Sequence, residues 1–487
     1  MTVFPTQTPT TAPAEPASEP VRLGFVGRPE TWWVETLEAS SPTEALMRRL
    51  VTRAAARPAQ DARPMPDLGR WRWADKTLVV TWEEITWSNG QPLNAQEVVS
   101  AINRAGNGNV SRFLPFVRAE VAGPRTVRLS FASDTLVCPT ATEVLLWPLG
   151  EGTWPPTRTL GPYRVAHSPS VWRLRPQDPA LPDVWLLPFE ESRTLARAWR
   201  AGEVDLIVGD DWLYGQTPLP MPSSGNVRDL PSNTLVTLAF RLEDPVLGDS
   251  AVRQALALAT DPTALAKRVY GTPLPQPTAL LPPGHWAAPE KGVPVGNPAL
   301  AAQRLSRAGW RDRDGDGIRE NGKGEPLALT LLISYSPTDA RWEHVGPALA
   351  DQWRRVGVDL TISYQAPFSL RERLSNGQWD VALIAYTVGP DPDQQFLWTA
   401  SDEENLLTRD LNVMGYANAS VGRLMREAAS LPGCSPDERA RLYRRAWSQI
   451  ANDVPLLPLF PRPVRLFAQE RATPLLPWVA STLRFTR

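Results

Sequence analysis

The sequence predicts an α/β protein built in two or three lobes, and three observations carry that reading. At 487 residues the chain exceeds what one hydrophobic core serves, since domains cluster at roughly 100 to 200 residues. The second half repeats a phrase of helix, glycine and strand: Val345 to Val356, then Gly357, then Val358 to Ile362; and Leu370 to Gly377, then the apolar run Val381 to Ala385. The first half carries instead a mixture of short strands, a helix and a hairpin, the mark of a small α+β unit.

Taken in order, Val21 to Val26 alternates apolar and other residues as a strand does. Glu44 to Ala56 has helical spacing, and Leu78 to Trp82 is strand-like. In Asn94 to Arg104 the residues Ala95, Val98, Val99 and Ile102 share one helical face, with Asn94 as cap. Val117 to Phe131 reads as a hairpin around Gly123-Pro124. Thr194 to Ala201 is a short helix carrying Leu195, Ala198 and Trp199, ended by Gly202 before the strand Val204 to Val208. Ala251 to Tyr270 is helical but interrupted at Asp261-Pro262, where proline can open a second helix, and Gly271 stops it. There is no short-period repeat of the kind that builds solenoids.

Composition narrows the function. Fifty-one basic and 52 acidic residues leave a net charge of -1, so no strong field points to nucleic acid or anionic lipid, and no nucleic-acid partner is expected. No run of about 20 apolar residues could satisfy its own backbone across a bilayer. Residues 1–20 are rich in Pro, Thr and Ala, without the basic start and apolar core of a secretory signal, and read as a disordered tether. Such a leash suits a membrane-anchored protein whose signal and lipid-accepting cysteine precede the recorded start. The two cysteines, Cys138 and Cys434, have no short spacing for a zinc knuckle or redox pair.

Several stretches resemble the family 5 extracellular solute-binding proteins, which serve dipeptide, oligopeptide and nickel importers. The resemblance spans about Val21 to Trp478, and its strongest piece is Ile85 to Val99, with Trp87, Gly90, Pro92-Leu93, Ala95, Glu97 and Val98-Val99 in the family's order. Gly161-Pro162-Tyr163, Ala201 to Leu206, Val252 to Ala259 with Asp261, Gly309-Trp310 with Asp312 to Ile318, Gly357 to Leu360, Gln378 to Leu383, Asp391-Pro392-Asp393 and Gly415 to Asn418 follow collinearly. The resemblance implies the large, cluster C type of periplasmic-binding-protein fold: two α/β lobes around a cleft, with an extra α+β subdomain inserted in the first. Lobe one is expected at 21–43, 161–238 and 461–487, the inserted subdomain at 44–160, and lobe two at 239–460, with hinges at Val236 to Phe240 and Leu457 to Pro461. It further implies no catalysis and no cofactor, a monomer outside the inner membrane, a peptide or small-solute ligand gripped by hinge closure, and ABC permease subunits as partners. A cleft hydrolase and a chemosensory binding protein independent of any transporter are the alternatives.

Position in the matching motifs nominates the cleft residues: Trp32 near the opening strand, Tyr386 and Thr387 after the lobe-two strand, Trp398, and Phe460 at the second hinge. In peptide-binding relatives an Asp shortly before the Asp-Pro step pairs with the ligand's α-ammonium. Here that place falls to Val388 or Gly389, so the site should take ligands without a free amine or recruit another acid, Asp391 and Glu30 being the nearest. Asp391 more simply ends the strand as a turn residue.

Other groupings weigh less. Asp312, Asp314, Asp316 and Gly317 imitate the first half of a calcium loop, but Lys323 occupies the position of the closing Glu, and a solvated hairpin loop is the simpler reading. His167, His285 and His344 are scattered without metal spacing or a serine elbow. The adjacent pairs Glu83-Glu84, Asp210-Asp211 and Glu403-Glu404 do not indicate opposed glycosidase carboxylates. Trp71, Trp73, Trp82 and Trp87 fall in core-like strands and turns. Cys138 and Cys434, assigned to the inserted subdomain and lobe two, are expected to remain unbridged, because a bond between them would oppose hinge motion.

Overall fold

The computed structural model describes residues 19–29, 41–107, 117–132, 136–150, 154–168, 171–209, 226–335, 340–398 and 412–483. Its backbone is one ten-stranded mixed sheet shared by both lobes. In order across the sheet the strands are Asp359–Gln365, Ala328–Ser334, Val381–Thr387, Asn226–Phe240, Leu456–Ala468, Leu206–Gly209, Val21–Val26, Val184–Phe189, Val171–Pro176 and Tyr163–Ser168. Asn226–Phe240 and Leu456–Ala468 are antiparallel partners along nearly their whole length, Asn226 facing Ala468 and Ala239 facing Leu456. These two long strands connect the lobes.

In lobe two, helices Ser250–Ala259, Pro262–Tyr270, Pro298–Arg307 and Val345–Arg354 cover one face of the sheet, burying Leu256, Leu265, Leu305 and Trp353 against Leu238, Phe240, Leu331 and Leu383. The break between the first two helices falls at Asp261-Pro262: Asp261 accepts from the Ala264 amide, and Gly271 caps the second helix at φ 75°, a left-handed position that costs glycine little. Helices Ala419–Ala429 and Pro436–Asp453 cover the other face, with Met425, Tyr443 and Trp447 over Leu235, Ala239 and Ala382. Each fully buried Leu or Phe contributes roughly 1.5–3 kcal/mol, so these two layers carry most of the lobe's stability.

The inserted unit has its own core, an antiparallel four-stranded sheet (Gly69–Ala74, Thr77–Trp82, Thr126–Phe131, Val117–Gly123) under helix Ala95–Asn107. Asn94 caps that helix in a reciprocal box: it accepts from the Glu97 amide at 3.0 Å and its own amide donates to Glu97 at 3.0 Å. Trp82 and Trp87 are buried in this core and Trp71 and Trp73 pack at its margin. Helix Pro42–Val51 departs from expectation, for Leu46, Met47 and Leu50 pack with Val21, Leu23 and Leu186 of lobe one. Packing therefore places the start of the inserted unit nearer residue 52 than 44. Its return is held at Gly161, where a Cβ would lie 2.4 Å from the Leu50 carbonyl oxygen.

Cys138 and Cys434 are bridged, with Cα atoms 5.4 Å apart, which corrects the expectation of free thiols. That expectation assumed two bodies that part freely. Instead helix Val137–Leu146 of the inserted unit lies against lobe two beside Ala419–Ala429, bringing the two residues within bridging range.

Candidate functional site

The register of the central strands aims both lobes at one place. Leu206–Gly209 runs antiparallel to its long neighbour, Leu206 opposite Ala468 and Gly209 opposite Arg465, so its carboxyl end heads toward Pro463 and Pro461. Val381–Thr387 runs antiparallel to the other long strand, Val381 opposite Phe240 and Thr387 opposite Thr234, so its carboxyl end heads toward Pro231. Between those points the pairing of the long strands is interrupted, from Pro231 to Leu235 on one side and opposite Pro463 and Pro461 on the other. Prolines cannot donate ladder bonds, and ligands in open α/β sheets bind outside carboxyl ends where the topology switches. The interruption lies nearer lobe one than the hinge segments Val236 to Phe240 and Leu457 to Pro461 expected from sequence, which are regular, paired strand apart from one irregularity at Val236/Thr237.

A cavity and several exposed side chains lie at the strand ends that run in the direction of this crevice. In lobe one, Gly27, Arg28, Pro29, Pro188, Phe189 and Glu190 line a cavity of about 700 Å³. In lobe two, Thr387 is exposed, and Tyr335, Tyr364 and Phe368 are exposed aromatic side chains at or just beyond the carboxyl ends of Ala328–Ser334 and Asp359–Gln365. The Tyr335 and Tyr364 rings meet edge to face at 6.4 Å. Sequence reading missed this group, although its signal was present: each residue falls within three positions of the end of a parallel strand.

At the crossing, Asn233 is buried and holds Val388 twice, accepting the Val388 amide proton on its own carbonyl at 3.0 Å and donating its side-chain amide to the Val388 carbonyl at 2.6 Å. Thr234 and Thr387 hydroxyls meet at 2.9 Å. A bidentate pair at 2.7 Å joins Asp229 to Arg465 across the long strands on the lobe-one side.

The nominated residues separate into groups. Thr387, Val388 and Gly389 lie at the crossing; Tyr386 is their neighbour but turns to the helix-covered face, and burial raises its hydroxyl pKa. Trp398 and Phe460 have no exposed surface: Trp398 stacks edge-on against Trp447 and Tyr416, and Phe460 against Tyr270. Both are core side chains where a cleft wall was expected, because motif position marks where a residue falls along the chain and not which face it turns to. Glu30 and Trp32 lie outside the described residues.

Asp391 is taken up elsewhere. Arg439 grips its two carboxylate oxygens at 2.9 and 2.8 Å, and Thr142 of the inserted unit donates to it at 2.8 Å. Burial pushes the Asp391 carboxyl up, but Arg439 and these hydrogen bonds more than offset it and hold it below the usual range. Its neighbour Asp393, half-buried and beside that charge, is pushed up to about 7. His285 is buried against this group; its Nδ1 accepts the Ala287 amide, so Nε2 carries the proton and donates to the Pro390 carbonyl at 3.0 Å. Burial lowers its pKa to about 4. Far from the crevice, Asp312, Asp314, Asp316 and Glu320 bring oxygens within 4.8 Å of one another, and all four also accept amide protons of their own loop.

Two lobes joined by crossing strands, with strand ends converging on the crevice, define the architecture of a two-lobed binding protein. Residues 70–406 match the bacterial extracellular solute-binding proteins, family 5, and the chain belongs to that family. It is 25% identical over 228 residues to the oligopeptide-binding protein AppA of Bacillus subtilis, covering 45% of this chain and 40% of that protein. It is 27% identical over 298 residues to the probable deoxycholate-binding periplasmic protein YgiS of Escherichia coli, covering 59% and 51%. The matched stretches thus span about half the length of these curated relatives or less. The crystal structure of the ABC transporter substrate-binding protein CtaP from Listeria monocytogenes shares the fold, with a TM-score of 0.74 at 19% identity over 97% of this chain and all of that one. No helix among the described residues is long and apolar enough to cross a membrane.

Proposed function

We propose that this chain captures a small solute in the crevice between its lobes, outside the inner membrane, and delivers it intact to ABC-type import subunits. The observation that carries the proposal is the convergence of strand ends from both lobes on the interrupted crossing at Pro231 to Leu235, which lets one bound molecule touch both lobes and favour their closure. Family membership supports it, and the named ligands of AppA and YgiS range from oligopeptides to deoxycholate, a solute without an amine.

The ligand of this chain does not depend on a free ammonium. Val388 and Gly389 stand where peptide-binding relatives place an acid, the Val388 carbonyl is occupied by Asn233, and Asp391 is consumed by Arg439. Glu190, on the lobe-one wall, is exposed, and an exposed pair contributes only about 0.2–1 kcal/mol, at most about fivefold in affinity. The wall of Tyr335, Tyr364 and Phe368 favours a ligand with an apolar or aromatic face. Native mass spectrometry of the purified protein should find a copurified solute, recovered unchanged after incubation. Calorimetry with matched free and N-acetylated peptides should then show affinities within about fivefold of each other. Loss of binding on acetylation would overturn the reading, and conversion of the solute would favour a hydrolase.

A further inference from the structure

The inserted unit is attached to lobe one by its chain and by Trp154, which packs in the lobe-one core edge-on to Trp172, and to lobe two by a disulfide and a set of polar contacts. Cys138 in the first turn of Val137–Leu146 bonds to Cys434 in the turn before Pro436–Asp453. Thr142, one turn along the same helix, donates to Asp391. Around the loop between Ala56–Pro58 and Pro64–Pro66, the Trp286 amide donates to the Asp61 carbonyl, Arg63 pairs with Asp437 at 3.1 Å, and Ala62 is buried in the lobe-two core. The three bodies therefore form a closed covalent ring: lobe one to lobe two through the long strands, lobe two to the inserted unit through the disulfide, and the inserted unit back to lobe one at residues 52 and 161.

We propose that the Cys138–Cys434 bridge is a redox-sensitive latch that limits how far the cleft opens, and that a dithiol reductant releases it. In a closed ring, rotation about the crossing strands must also turn the inserted unit on one of its two neighbours. The disulfide bars that on the lobe-two side, and Trp154, buried in the lobe-one core and edge-on to Trp172 at 6.3 Å, resists it on the lobe-one side. The bridge is placed for reduction from one direction. Cys138 is fully buried, whereas Cys434 is half-buried beside exposed Pro432 and Gly433 and holds a left-handed φ of 50° that strains a non-glycine residue. The reductant's thiolate would attack the Cys434 sulfur; the S–S bond breaks, and Cys138 leaves as a thiolate at a helix N-terminus, where backbone N–H groups favour the anion. The reductant's second thiol then displaces Cys434 from the mixed disulfide, so the protein gains two electrons and, on protonation, two protons, while the dithiol becomes a disulfide.

The inference rests on lobe motion and not on any ligand, so it is tested on the unliganded full chain and stands or falls apart from the solute-capture reading. Mass spectrometry of the non-reduced protein should show no free thiol and a gain of two protons on treatment with dithiothreitol. Small-angle scattering should give a larger and broader radius of gyration after reduction, with amide exchange in 136–146 and 431–439 faster by about tenfold or more. Cys434→Ser should match the reduced protein with or without reductant, and if that variant folds poorly, reduction of the wild type supplies the same comparison. Free thiols in the non-reduced protein would overturn the proposal. So would scattering that stays unchanged on reduction while the melting temperature falls, for the bridge would then be a staple and not a latch.

Discussion

Lobe two meets its neighbours at two junctions built on opposite principles. Toward lobe one the contact is two strands whose ladder is interrupted between Pro231 and Leu235, with prolines at 461 and 463 and one hydroxyl pair at Thr234 and Thr387. Toward the inserted unit it is a disulfide, a buried bidentate ion pair reached by Thr142, and a backbone hydrogen bond. The first junction has given up ladder bonds and can bend at low cost; the second has concentrated its costly groups where they satisfy one another. The insertion is thus fastened to lobe two by a disulfide while it stays joined to lobe one through its chain and Trp154, so the crevice closes within a ring and not between two free halves.

The hardest way to break the second junction is to remove Arg439. Its guanidinium lies almost wholly buried, also donates to the Ala428 carbonyl, and sits 5.5 Å from the Trp286 ring. Arg439→Ala would leave Asp391 charged and nearly unpaired, which costs about 3–5 kcal/mol for a buried pair stripped of one partner. Chemical denaturation should show that loss, and the double variant Arg439→Met with Asp391→Asn should recover much of it. A loss below about 1 kcal/mol would mean that the pair is screened by solvent and that the second junction is no firmer than the first.

At the yielding junction the most sensitive residue is Asn233, whose side chain and carbonyl both serve Val388. Asn233→Ala keeps the backbone bond but leaves a buried carbonyl unsatisfied, at about 1–3 kcal/mol. Because the lesion sits at the crossing, amide exchange should rise at Thr387 and Val388 while 136–146 stays protected. Exchange spreading to 136–146 would show that the two junctions do not act independently.

Much of this was legible in the chain. The helices at Ser250–Ala259 and Pro262–Tyr270, the capped helix after Asn94 and the strand at Val381–Thr387 fell where periodicity, a capping residue, a proline or a glycine put them. These are local signals, fixed within a few residues. Four things were not local. Phe460 and Trp398 share motif positions with cleft residues, but which way a side chain turns depends on the helices packed over the sheet. Asp391 reads as a turn residue until Arg439, 48 positions away, is folded onto it. The bridge joins residues separated by 296 positions, and a mechanical argument about free lobes pointed away from it. Tyr335 and Phe368 became site candidates only when parallel pairing put their strand ends beside each other.

The second junction contains two groups whose pH responses oppose each other, so its net dependence on pH is small. Stability changes with pH in proportion to the protons bound by the unfolded chain minus those bound by the folded one. Asp393 titrates at about 7 in the fold and near 3.9 when unfolded. Between those values the folded state holds a proton that the unfolded chain has lost, so this group's contribution is full in acid and falls as pH rises through 7. His285 titrates at about 4 in the fold and near 6.5 when unfolded. From about 4 to 6.5 the unfolded chain holds the extra proton, so stability from this group rises with pH and is lost in acid. Each slope is bounded at about 1.4 kcal/mol per pH unit, and their sum is nearly flat. Denaturation from pH 4.5 to 6.5 should therefore give a shallow profile for the wild type. Asp393→Asn should expose the His285 slope, with stability increasing toward pH 6.5, and His285→Gln should expose the opposite one. Parallel profiles for the two variants would show that these groups are not held in the buried states that the junction assigns them.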